Sequence, residues 1–202
     1  MSAPRLAVLV SGGGRSLENL AARIADGSLA AEIALVLSDR PGIGALARAE
    51  RLGLPTLVVP WTKELGGEGF GARVFAAVEE SGVVLVVLAG FLRLLRVPER
   101  WLGRVINIHP ALLPAFGGKG MYGDRVHRAV LESGQRTTGC TVHYVDNQYD
   151  HGPILLQRTI EVLPDDTAET LAHRVFEEEK IALPAAIALA LCRAGGRSGP
   201  EH

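Results

Sequence analysis

The run Val105-Ile106-Asn107-Ile108-His109-Pro110 alternates apolar and polar residues. A strand's period of two places Asn107 and His109 on one face. An amide beside an imidazole suits a reaction that develops negative charge on oxygen: Asn donates to the oxyanion, and His donates or shuttles a proton. The plainer alternative is a core pair satisfied by backbone. Asp150 stands in the later loop Val145-Asp146-Asn147-Gln148-Tyr149-Asp150-His151-Gly152-Pro153. Beside His109 its carboxylate would raise the imidazole pKa, each unit being worth about 1.4 kcal/mol; otherwise it forms a turn before Gly152. Asp146, Asp150, His143 and His151 match no established metal-ligand spacing, so no metal is expected. A third candidate is Ser11-Gly12-Gly13-Gly14-Arg15-Ser16. Its glycines let backbone N–H groups approach a ligand, and the following helix start favours an anion, so a phosphate suits Gly13, Gly14, Arg15 and Ser16. Substitution of Gly14 is then expected chiefly to weaken binding. The spacing is neither a dinucleotide fingerprint nor a P-loop, and a simple crossover turn stays open.

These residues need a sheet to carry them. Arg5–Val10, Ile33–Leu37, Thr56–Val59, Val83–Ala89 and Val105–His109 read as strands. Leu17–Ala25, Ile43–Leu52 and Phe70–Glu80 read as the helices between them. Strands apolar on both faces belong to a parallel sheet covered by helices. The fold expected is α/β: an open, mostly parallel twisted sheet with helices on both faces, Rossmann-like. Beyond it come an irregular Gly/Pro segment, a helix over His127–Glu132, and two antiparallel strands, Cys140–Val145 and Ile154–Glu161. Asp166 and Glu169 suggest a capping box opening a helix through Lys180, which Pro184 breaks or kinks. A single domain over 1–202 is expected, with halves at about 5–105 and 106–192 and a frayed tail over 193–202.

Composition narrows the class. The 202 residues carry 21 Lys+Arg against 22 Asp+Glu, and 48% are hydrophobic, an ordinary globular profile without the basic face that nucleic acid needs. The longest apolar stretch, Ile181–Cys192, falls short of a membrane span, and nothing near the N-terminus reads as a signal peptide. Cys140 and Cys192 make no disulfide framework. A cytoplasmic protein acting on small molecules is expected, as monomer or homodimer, without nucleic-acid or membrane partners.

Four segments in order, Ser11–Leu17, Leu88–Leu95, Asn107–Pro114 and Gly139–Val145 with Asp150–Pro153, resemble the folate-dependent formyltransferases. Within them the likeness is to the phosphoribosylglycinamide formyltransferases, over roughly residues 5 to 190. The resemblance implies formyl transfer from 10-formyltetrahydrofolate to the amine of 5'-phosphoribosylglycinamide in purine biosynthesis. It implies that the 5–105 half binds the mononucleotide and the 106–192 half completes the folate cleft. It also implies Asn107, His109 and Asp150 at the reacting carbon and Gly13, Gly14, Arg15 and Ser16 at the substrate phosphate. Glu179 would meet the ribose hydroxyls, and Leu92, Arg93, Leu94 and Leu95, with Asn107 and Asp150, would meet the folate. Asp150 is expected to keep His109 protonated near neutral pH. The chain departs from the pattern at Arg15, a small polar residue in many relatives, and at Phe176, where many carry Lys or Gln. Gly67 replaces a basic residue, with Lys63 the nearby lysine, and the Gly117–Gly123 run is long. Formyltetrahydrofolate deformylase, a hydrolase with the same central motifs, is the alternative. Its usual N-terminal regulatory domain finds no room before Arg5, and a tRNA-directed relative would need a further C-terminal domain.

Overall fold

A computed structural model describes residues 2–196. Seven strands form one sheet: β1 (Arg5–Val10), β2 (Glu32–Ser38), β3 (Thr56–Val58), β4 (Leu85–Leu88), β5 (Val105–His109), β6 (Thr137–Tyr144) and β7 (Ile154–Glu161). Their spatial order is β3-β2-β1-β4-β5-β6-β7. The first five pair in parallel, whereas β6 and β7 add antiparallel. The helices are α1 (Arg15–Ala25), α2 (Gly44–Arg51), α3 (Gly66–Glu80), α4 (Asp124–Glu132) and α5 (Ala168–Gly196).

Alternation along β1 shows why both faces are covered. Leu6, Val8 and Val10 point into a core shared with α1, α2, α4 and α5. Ala7 and Leu9 point into the opposite core, filled by Phe70, Val74, Phe75 and Val78 of α3. Chain order reverses between β1 and β4, leaving a crevice at the carboxyl ends of those strands, where ligands bind in open α/β sheets.

Several boundaries shift from expectation. Helix α1 starts at Arg15, because Gly14 takes a left-handed conformation (φ 82°) at its N-cap. Helix α3 begins at Gly66, its glycines joining the helix through its buried apolar face. The cap of α5 is not Asp166 with Glu169: Thr167 Oγ1 accepts the Thr170 N–H and Thr170 Oγ1 accepts the Thr167 N–H. Asp166 instead accepts from Leu163 N–H and Arg174, closing the preceding turn. Nor does Pro184 end the helix. It lies inside α5, whose Leu171, Val175, Leu183 and Ile187 are buried on the sheet and outweigh proline's lost hydrogen bond. Of the tail expected to fray, 193–196 is helical and 197–202 lies outside the described residues. No described helix is long and apolar enough to cross a membrane.

Helix α5 therefore clamps the sheet through a few large side chains. Leu183→Ala should lower unfolding free energy by about 2–5 kcal/mol, measured by urea denaturation, because Leu183 is fully enclosed.

Candidate active site

Pairing of β5 with β6 assembles the chemistry. Asn107 stands opposite His143, and His109 opposite Thr141. Directly opposed residues share a face, so four polar side chains meet at the carboxyl end of β5. Asp150 reaches them from the β6–β7 connection, its own backbone left-handed (φ 51°). Its Oδ2 accepts the Gly118 N–H at 2.9 Å and lies 3.6 Å from His109 Nδ1. Its Oδ1 lies 3.6 Å from His143 Nε2 and 3.5 Å from Asn107 Nδ2. Gly152 permits this approach: a Cβ there would sit 1.9 Å from the Tyr144 carbonyl oxygen.

Carbonyl partners settle where protons sit. A carbonyl only accepts, so His109 Nε2 donates to Phe116 O at 2.8 Å. The ring therefore carries hydrogen on Nε2 in either charge state, and its second proton would face Asp150. His143 Nδ1 likewise donates to Tyr144 O, so Nε2 faces Asn107 Nδ2 as an acceptor at 3.1 Å. That bond fixes the Asn107 amide orientation.

Burial pushes the Asp150 carboxyl up, but the adjoining His143 and His109 rings and the Gly118 N–H outweigh it, so it lies below the usual carboxylate range. The expectation that Asp150 holds His109 protonated near neutral pH is not met. Burial of His109, 4% exposed, lowers its pKa by more than Asp150 and the Phe116 carbonyl raise it. The balance of these effects favours the neutral ring.

These residues open on a cavity of about 540 Å³ at the β1/β4 crevice. The other residues assigned to the two substrates from the sequence also line it: Gly13, Gly14, Arg15, Ser16, Leu92, Arg93, Leu94, Leu95 and Glu179. Neither Gly67 nor Lys63 does; Gly67 faces Arg96, which pairs with Glu68. The glycine loop is braced from α2, with Ala45 N–H donating to Gly12 O and Arg48 Nε to Gly13 O. Its carbonyls are thereby occupied, while the first N–H groups of α1 have no intrahelical partner and Gly14 supplies no capping side chain. Gly14 itself proves structural, since a Cβ would lie 2.7 Å from the Ala45 Cα.

The Leu92–Leu95 segment is pinned from three sides. Leu92 N–H donates to Ser11 Oγ, and Leu94 N–H to the Tyr149 hydroxyl. Arg93 Nε donates to Asp39 at 2.8 Å, and its guanidinium stacks on Trp61. Burial pushes the Asp39 carboxyl up, but Arg40, Ser11 and Arg93 outweigh it and keep it below the usual range. The Arg93 guanidinium is thus committed to bracing its segment. Glu179 is desolvated in the cavity wall; burial pushes its carboxyl up to about 7, against the pull of Arg15.

Three residues that shape the candidate site are given no role in it by the sequence. His143 stands in the Gly139–Val145 segment and among the dismissed metal ligands, although its alternation with Thr141 places both on one strand face. Thr141 donates to Ala111 O and accepts from Leu113 N–H and Gln157 Nε2, fixing the turn after His109. His127 lines the cavity, buried, with no hydrogen-bond partner for Nδ1 among the described residues; no sequence signal distinguishes it from a helix-core histidine.

A formyl transferase family model matches residues 4–187. The chain belongs to the formyl transferase family. It is 43% identical over 178 residues to the chloroplastic phosphoribosylglycinamide formyltransferase of Arabidopsis thaliana, covering 87% of this chain and 61% of that protein. It is 43% identical over 187 residues to the trifunctional purine biosynthetic protein adenosine-3 of Gallus gallus, covering 92% of this chain and 18% of that one. The chain therefore spans about three fifths of the first relative and under a fifth of the second. Among solved structures, glycinamide ribonucleotide transformylase 1 from Symbiobacterium toebii superposes with a TM-score of 0.86 at 38% identity, covering 99% of this chain and 92% of that one. Phosphoribosylglycinamide formyltransferase from Bacillus halodurans gives 0.82 at 31% identity, covering 94% and 96%. The fold is thus that of the formyltransferases, and β6 and β7 form its antiparallel extension.

Two measurements check this geometry. In an NMR titration the His109 ring should show a midpoint below 6.5, and Asp150→Asn should lower it further by removing the charge that favours the imidazolium. A depressed native pKa means His109 weakens folding as pH falls through 6.5, and leaves stability unaffected above it. Separately, Gly14→Ala should cost at least about 1–2 kcal/mol for left-handed backbone, whereas Gly13→Ala, with open space around its Cβ, should melt like the parent.

Proposed function

We propose that the protein transfers a formyl group from 10-formyltetrahydrofolate to the amine of 5'-phosphoribosylglycinamide, giving formylglycinamide ribonucleotide and tetrahydrofolate in purine biosynthesis. The observation that carries this reading is the convergence of Asn107, His109 and Asp150 on the cavity that the glycine loop also lines. The substrate phosphate belongs at Gly13, Gly14, Arg15 and Ser16, and Glu179 faces the ribose. The folate lies along Leu92–Leu95 and reaches Asn107 and Asp150. Each reactant thus draws on both halves of the chain. Both partners are small molecules, and the two free cysteines, Cys140 and Cys192, suit a reducing cytoplasm.

The amine lone pair attacks the formyl carbon, forming the new C–N bond and turning the carbonyl into an oxyanion. One Asn107 N–H is held by His143, and the weaker contact to Asp150 at 3.5 Å leaves the other for that oxyanion. The proton lost by the attacking amine passes through a water held by Asp150 to His109 Nδ1, whose N–H then supports the oxyanion while Nε2–H stays on the Phe116 carbonyl. That same proton moves on to the folate nitrogen as its bond to the formyl carbon breaks, and the carbonyl reforms. Orientation of the two reactants contributes up to about 7–11 kcal/mol.

Turnover assayed by tetrahydrofolate release should require the nucleotide; release without it would identify a deformylase. His109→Ala should lower kcat by about 10²–10³, the loss of one oxyanion donor, and Asp150→Asn should lower it by a similar factor through loss of the charge that supports proton transfer, with circular dichroism unchanged in both. Normal kcat in either variant refutes the assigned roles.

A further inference from the structure

Arg15 opens α1 at the cavity rim, and among the described residues its guanidinium makes no ion pair. It lies instead over the ring of Phe176, with the guanidinium carbon 4.2 Å from the ring centroid. The two helices are tied beside this contact, where Asn19 Nδ2 donates to the Lys180 carbonyl at 3.1 Å. Lys180, the other cation near the ring, is occupied by Glu177. Glu179 faces the same space without pairing with Arg15.

A guanidinium has two usable surfaces. Its face stacks on an aromatic ring, while its N–H groups lie in the plane and bond outward. Stacking on Phe176 therefore consumes the face and leaves the edge for an anion. It also restricts a long side chain before any ligand arrives, reducing the ordering cost at binding. The adjoining helix N-terminus supplies further N–H donors to the same anion.

We propose that Phe176 is a positioning residue that holds the Arg15 guanidinium edge-on to a phosphate monoester at the glycine loop. The proposal deepens the nucleotide assignment above and rests on it. The pair divides labour: Arg15 supplies charge and hydrogen bonds, and Phe176 supplies only direction. A lysine at position 15 would keep the charge and lose the planar stack.

Calorimetric titration with ribose 5-phosphate tests this without turnover. Phe176→Leu, which keeps apolar volume, should weaken binding by about threefold to fivefold, the scale of an exposed cation–π contact. Phe176→Tyr should bind within about twofold of the parent, since its ring stacks equally well. Arg15→Lys should resemble Phe176→Leu, and in an Arg15→Ala background Phe176→Leu should add nothing. With glycinamide ribonucleotide, KM should rise in Phe176→Leu by the same factor while kcat holds. The proposal is overturned if the parent does not bind ribose 5-phosphate. It also falls if Phe176→Leu binds like the parent, or if its loss persists without Arg15. Should Phe176→Leu not fold, parent-like binding by Arg15→Lys overturns it instead. If the titrations follow the pattern but no formyl transfer occurs, the stacked pair stands and the reaction assignment fails.

Discussion

An ionised carboxylate placed among buried groups is costly, by about several kcal/mol when nothing compensates it. Asp150 is in that situation, and its compensation organises the site. One oxygen needs the Gly118 N–H, which brings in the irregular segment after Pro114. The other faces His143 and Asn107, which requires β6 to pair antiparallel with β5 in the observed register. Its left-handed backbone and the close approach of Gly152 to Tyr144 O follow from the same demand. Three segments far apart in sequence are thereby locked to one charge, and His109 is enclosed as a consequence.

That enclosure reverses a simple electrostatic expectation. A carboxylate beside an imidazole raises its pKa, yet burial of the ring is the larger effect here. Burial favours the neutral imidazole while its neighbours favour the ionised acid, a pair able to gain a proton when negative charge develops on substrate. The rest of the cavity wall follows a comparable logic. Arg93, drawn to buried Asp39, braces its own segment, and Arg15, with no carboxylate partner among the described residues, lies over Phe176. Two arginines lining one cavity are assigned different tasks by the acids near them.

The fold was largely legible because its signals are local. Apolar runs without alternation announce a covered parallel sheet, and the strand over Ile154–Glu161 shows its half-exposed edge in its own pattern. Errors fell where a longer-range interaction overrode a local one. Pro184 is expected to break or kink the helix; it does not break it, because burial of Leu183 and Ile187 carries α5 past it. Asp166 looked like a cap, but Arg174, eight residues on, and the Leu163 N–H claim its carboxylate.

Residue types and spacing by themselves established that Asn107 and His109 share a face and that a glycine loop stands before α1, because periodicity and order along the chain are sufficient for such statements. The formyltransferase reading came from the resemblance of four ordered segments to that family, not from periodicity. Types and spacing could not reveal that His143 meets Asn107, that Arg15 lies over Phe176, or that burial outweighs Asp150 at His109. Those facts depend on strand register, helix packing and desolvation, which exist only once distant segments have met and excluded water.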